Sequence, residues 1–106
     1  MNLGSQDVLT SISAAGTTQA TATELIAGIS YVSTVASGAG VALSPNATPG
    51  TCQIVYNSGA NALKVYPISG AQINQITADS PHVLATNTAC TYWFVTSTKI
   101  GGLLSA

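Results

Sequence analysis

The sequence predicts an all-β chain: a small antiparallel β-sandwich or jelly-roll-like domain over residues 21–106, preceded by an extended arm over residues 1–20. Two observations carry this. Residues 52–57 and 89–96 alternate side chains with period two and are rich in β-branched and aromatic residues, the pattern of strands. Such runs recur every 8–12 residues or so, separated by Gly, Pro, Asn and Ser clusters, as in sandwiches, jelly rolls and small barrels. The pattern leaves the choice among these, and the strand order, open.

The centre of the chain is Thr51–Asn74. Cys52, Ile54 and Tyr56 alternate with Gln53, Val55 and Asn57. Asn57-Ser58-Gly59-Ala60-Asn61-Ala62 supplies a turn, because Asn and Gly tolerate positive φ. Leu63–Tyr66 then returns as a second strand, forming a central hairpin, and Pro67, with no N–H for a ladder, ends it. Both strands carry apolar residues on both faces, as expected in the middle of a two-layered structure.

The other elements follow in chain order. Residues 1–20 hold Ser, Thr, Ala, Gly and Gln with Leu3, Val8, Leu9 and Ile12. A merely solvated tail would carry more charge and fewer aliphatics, so Val8, Leu9 and Ile12 are candidate partner contacts on an arm that can add a strand to a neighbouring sheet edge. Thr21 and Glu24 have capping-box spacing, which permits a helical turn over 22–27 before Gly28. Ile29–Ala36 alternates and reads as a strand. Ser37–Gly40 is a turn, Val41–Leu43 a short strand stopped by Pro45, and 46–50 a loop that contains an Asn46-Ala47-Thr48 sequon. Ile73 and Ile76 lie where a short strand or turn can plug an edge; His82–Ala85 is a short strand after Pro81. In the aromatic strand 90–97, Cys90, Tyr92 and Phe94 share one face, and Thr91, Trp93 and Val95 the other.

Composition bounds the function. In 106 residues, 46% are hydrophobic but only 5% are charged, against roughly 25% in ordinary soluble domains. The charges are Asp7, Glu24, Lys64, Asp79 and Lys99, for a net charge of −1. A surface this poor in charge favours association, so much of it is expected to be covered by protein. Two lysines and no arginine make no basic stripe for nucleic acid. No apolar run approaches the ~20 residues that span a bilayer. Residues 1–7 lack a basic start and an apolar h-region, so synthesis in a cytosol is expected. Cys52 and Cys90 then read as reduced small hydrophobes, although a disulfide is geometrically open if their strands are neighbours. Two Cys and one His, far apart, match no metal-ligand spacing, and no cofactor is expected.

No catalytic constellation emerges, and the chain is read as a non-enzyme. His82 is the only histidine, no Ser sits in a G-x-S-x-G elbow, and the three acids are scattered. Ser37–Gly40 lacks the Lys-Ser/Thr of a phosphate loop. Trp93 and Phe94 read as core, with a sugar-stacking platform as the alternative.

The run Gly40-Val41-Ala42-Leu43-Ser44-Pro45, then Gly50, Val55-Tyr56-Asn57, Gly59-Ala60-Asn61, Leu63-Lys64-Val65-Tyr66-Pro67, Gly70, Ile73-Asn74 and Trp93-Phe94-Val95, resembles small structural proteins of tailed-bacteriophage virions, most closely capsid decoration (cement) proteins. The likeness covers roughly residues 25–100. It implies a compact β-domain, commonly a homotrimer, made in the host cytoplasm and placed on the capsid surface of the virion, where it clamps subunits of the major capsid protein. The competing expectation is a tail, fibre or baseplate module that contacts a receptor glycan. A third is a carbohydrate-binding β-domain unrelated to virions.

Overall fold

The computed structural model describes residues 8–45 and 49–104, and these contain strands and turns but no helix. Ten strands form: β1 (Val8–Ser13), β2 (Thr23–Glu24), β3 (Ile29–Thr34), β4 (Gly40–Ala42), β5 (Cys52–Asn57), β6 (Leu63–Tyr66), β7 (Gln72–Ile73), β8 (His82–Leu84), β9 (Thr88–Thr96) and β10 (Lys99–Leu104). They make a six-stranded sheet of order β1-β3-β5-β9-β10-β7 and a four-stranded sheet of order β2-β4-β6-β8. The all-β expectation holds. The sequon at 46–48 lies outside the described residues.

The connectivity departs from an antiparallel sandwich or jelly roll. From β1 to β6 the chain alternates between the sheets, and each strand lies parallel to the one two places earlier. This is the winding of a short β-solenoid. Five of the eight ladders are parallel, so the sheets are mixed. Parallel strands need a crossover of a dozen or more residues. Here each crossover contains a strand of the opposite sheet, so no helix is needed. The last part of the chain reverses direction. β8 and β9 run antiparallel to β6 and β5, and β10 folds back on β9.

Residues 51–66 show why periodicity misled. β5 and β6 fall where expected, but they do not pair as a hairpin. β5 belongs to the six-stranded sheet and β6 to the four-stranded one, so the turn is a corner between layers. Asn57, fully buried, builds it. Its Nδ2 donates to the carbonyls of Asn61 and Leu84, each at 2.9 Å, and its Oδ1 accepts from Gly59 N at 2.9 Å. Asn61 Nδ2 adds a bond to Val35 O at 2.8 Å, tying this corner to the preceding turn of the coil. A Cβ on Gly59 would stand 2.8 Å from Val35 Cβ, so only glycine fits that approach. Gln53 does a similar job at the other end of β5: Nε2 donates to Ala27 O at 2.9 Å and Oε1 accepts from Ser44 N at 3.0 Å. Buried amides therefore stitch successive turns where the ladders stop, and no described buried side-chain polar atom lacks a partner.

The core fills the space between the sheets. Val32, Val55, Tyr92, Phe94 and Ile100 come from the larger sheet, and Val41, Leu63, Val65 and Leu84 from the smaller. Leu25 and Leu43 close it from the corners. Thr23–Glu24 is a strand, not a helical turn: pairing with Val41–Ala42 satisfies its backbone while Leu25 enters the core. Ile73 is fully buried at the β7 edge.

Candidate protein-interaction face

The outward side of the six-stranded sheet is the most distinctive surface of the molecule. Its make-up follows from strand alternation. In β5, Gln53, Val55 and Asn57 turn inward, which leaves Cys52, Ile54 and Tyr56 on the outer side. In β9, Cys90, Tyr92 and Phe94 turn inward and Thr91, Trp93 and Val95 face out; the two sets divide as the alternation predicts, but Trp93, read as core from the sequence, lies on the outer side because only the Phe94 side of the strand meets the second sheet. The ladders align these residues across strands. Ile29, Ile54, Thr91 and Leu103 form one row; Tyr31, Tyr56 and Ala89 a second; Cys52, Trp93 and Gly101 a third.

Side-chain packing fixes the face in place. Tyr31 and Tyr56 stack with ring centroids 4.5 Å apart. The Trp93 indole lies across Gly101, where a Cβ would come within 2.5 Å of Nε1. Yet the face is not covered: Tyr31 is 42% exposed, Trp93 37%, Val95 52% and Leu103 65%. Four strands about 4.8 Å apart and about 20 Å long present roughly 300–400 Å², the size of apolar patch that on a monomer is often functional. Among the described residues the sheet carries one charge, Lys99, whose Nζ is held at the β7 edge by Asn74 O at 2.7 Å and Gln72 Oε1 at 3.3 Å.

The residues singled out in the arm lie at one edge of this sheet. Val8–Ser13 pairs parallel with β3. Val8 and Leu9 are exposed, and with Ile26 and Ala27 they line a shallow apolar hollow of about 340 Å³. Ile12 is half-buried against the core. Beyond β1 the segment is fastened to the body. Ala15 bridges Gly40, Thr17 O accepts from the Tyr66 hydroxyl at 3.0 Å, and Gln19 Nε2 donates to Pro67 O at 2.8 Å.

The chemistry-bearing residues do not converge. Among the described residues no three His, Cys, Asp or Glu side chains group as metal ligands would. Cys52 and Cys90 are on neighbouring strands, but Cys52 stands opposite Trp93 and Cys90 opposite Val55, on opposite faces of the sheet, and both thiols are free. Burial pushes the Cys90 thiol up. His82, on the edge strand β8, points inward, and its Nδ1 is hydrogen-bonded to the Tyr92 hydroxyl at 2.7 Å. Burial lowers the His82 pKa and raises that of Tyr92, so both groups are held neutral. This pair links the two layers.

Sequence reasoning missed Tyr31, Tyr56 and Leu103 as a surface. The available signal is that β5 is apolar on both faces, a pattern that burial on both sides produces equally well. No protein-family model, curated protein or solved structure matches this chain.

Proposed function

We propose that this protein is a non-enzymatic structural component that docks on other protein through the uncharged outer face of its six-stranded sheet, and that it serves as a decoration (cement) protein on a tailed-phage capsid. The observation that supports the docking role is the contiguous patch of Ile29, Ile54, Tyr31, Tyr56, Trp93 and Leu103, free of charge and open to solvent. The capsid assignment comes from the sequence resemblance. Removing such a face from water is favourable at about 25 cal/mol per Å², and the absence of charge keeps desolvation costs low. A homotrimer that touches several major-capsid subunits would multiply weak contacts into avidity. Binding to the closed lattice alone would stabilise it by mass action. Val8, Leu9 and Ile12 are the proposed arm contacts to capsid at the edge of the same sheet.

The exposed indole of Trp93 and the Tyr31–Tyr56 stack favour one second reading, a tail or fibre module that stacks these rings on a receptor glycan.

The test is co-sedimentation with capsids lacking the protein, beside glycan binding read by quenching of Trp93, the single tryptophan. Wild-type protein is expected to saturate the capsids at a fixed ratio to the major capsid protein, and Leu103→Lys to weaken binding at least about tenfold, or ~1.4 kcal/mol. Equal binding by both proteins would remove the face from the proposal. Glycan quenching without capsid binding would replace it with the second reading.

A further inference from the structure

The outer face of the six-stranded sheet offers hydrogen bonds chiefly in one direction. β3, β5 and β9 each lie between two strands, so their backbone N–H and C=O groups are spent in ladders. What projects from them is the Trp93 indole, the Tyr31 and Tyr56 phenols and small or aliphatic side chains. Among the described residues, neither the indole N–H nor either phenol has a hydrogen-bond partner. An indole nitrogen only donates, and a phenol donates readily. The three cross-strand rows hold no amide and no carboxylate side chain. The face therefore presents donors set in apolar surface. The rings are also held in place. Tyr31 and Tyr56 stack, and Trp93 lies across Gly101, whose missing side chain leaves room for it. From Ala89, which pairs with Tyr56, to Trp93 is four strand residues, about 13 Å. Ile54 and Thr91, between them, are shorter and half-buried, so the rings stand on either side of a shallow trough.

We infer that the ligand of this face is a proline-rich, extended segment of the partner protein, lying over Ile54 and Thr91 between the tyrosine pair and Trp93. The inference rests on the docking reading and names what docks. A polyproline II segment matches the face in three ways. Proline has no N–H, and the polyproline II helix makes no internal hydrogen bonds, so the segment brings free carbonyl acceptors and almost no donors. That complements the Trp93 N–H and the two phenols. Its pyrrolidine rings are apolar bodies that pack against aromatic side chains, and aromatic-lined grooves are recurrent sites for such segments. It rises about 3.1 Å per residue, so about four residues reach from the tyrosines to Trp93. Other occupants match less well. A second copy of this chain would need about 800 Å² a side for a stable pair, about twice the roughly 300–400 Å² of this face. A glycan brings a hydroxyl donor with nearly every acceptor, and those donors meet no amide or carboxylate in these rows. A charged peptide meets no opposite charge there.

The test is isothermal titration calorimetry of the full chain with a blocked decaproline peptide, beside a blocked Gly-Ser peptide of the same length, maltohexaose and chitohexaose. Decaproline is expected to bind one to one, at least about tenfold tighter than the Gly-Ser peptide, and to shift the emission of Trp93, the single tryptophan. Tyr31→Phe/Tyr56→Phe and Trp93→Phe keep aromatic rings in place and remove the donors. Each should weaken decaproline binding about fivefold or more, with the thermal midpoint little changed. Equal binding of the two peptides would overturn the inference, as would affinity that ignores the loss of the donors. A hexasaccharide that binds where decaproline does not would overturn it in favour of the glycan. Co-sedimentation with capsids lacking the protein separates this from the docking reading. Capsid binding with no response to decaproline keeps the docking face and removes the proline-rich ligand. Decaproline bound through these rings, without capsid binding, keeps the ligand and removes the capsid assignment.

Discussion

The two sides of the six-stranded sheet are built from neighbouring residues of the same strands, and they met different fates. On β9 the inner set Cys90, Tyr92 and Phe94 is fully enclosed, while the outer set Thr91, Trp93 and Val95 remains partly or largely in water. Both sets are mainly apolar. The difference lies in what faces them: the inner side meets the four-stranded sheet, and nothing among the described residues covers the outer side. Hydrophobicity in a strand therefore marks a surface that is removed from water somewhere, within the chain or against another.

The largest effect expected from this contrast is at Phe94. Phe94→Ala opens a cavity between the layers and should cost about 3–5 kcal/mol, read by denaturant unfolding. Its sequence neighbour sharpens the comparison. If Val95→Ala cost as much, the two sides would be energetically equivalent and the outer face would not be a free surface.

Asn57 ranks next. Asn57→Ala leaves Gly59 N and the carbonyls of Asn61 and Leu84 without their amide partner at a buried corner. A loss of about 2–4 kcal/mol is expected, since each orphaned buried group costs about 1–3 kcal/mol. A loss under about 1 kcal/mol would mean that water repairs the corner.

The His82–Tyr92 link between layers predicts a pH dependence. The folded-state pKa of His82 lies below its ordinary value of 6.5 because of burial. The unfolded chain therefore binds the proton first. Stability should be full above about pH 6.5, fall as pH drops below it, and level off beneath the folded pKa. Melts of wild type and His82→Gln across that range should diverge only on the acid side; parallel curves would exclude His82 as the titrating group.

The smallest stability effect belongs to the outer face. Val95→Thr should change stability by no more than about 0.5 kcal/mol while reducing association, measured by light scattering. A loss of stability at concentrations where the protein is monomeric would show that the side chain is buried within the chain after all.

Alternation and turn chemistry made most of the strands legible. Ile29–Thr34, Cys52–Asn57, Leu63–Tyr66, His82–Leu84 and the division of β9 into two alternating sets lie where period two and the Gly, Pro and Asn breaks place them. These are local properties: side-chain direction reverses at each strand residue, and the breakers act on their own φ angles. Pairing is not local. The turn at 57–62 reads as a hairpin loop because its residues permit one. Asn57 instead spends its amide on Leu84 and Asn61, and the chain crosses to the other sheet. Whether β5 lies beside β6 or beside β3 and β9 depends on backbone partners 25 or more residues away, and period two is the same in either case. The exposed face was hidden for the same reason. A strand apolar on both sides specifies two apolar neighbours, and only the tertiary structure decides that one of them belongs to this chain.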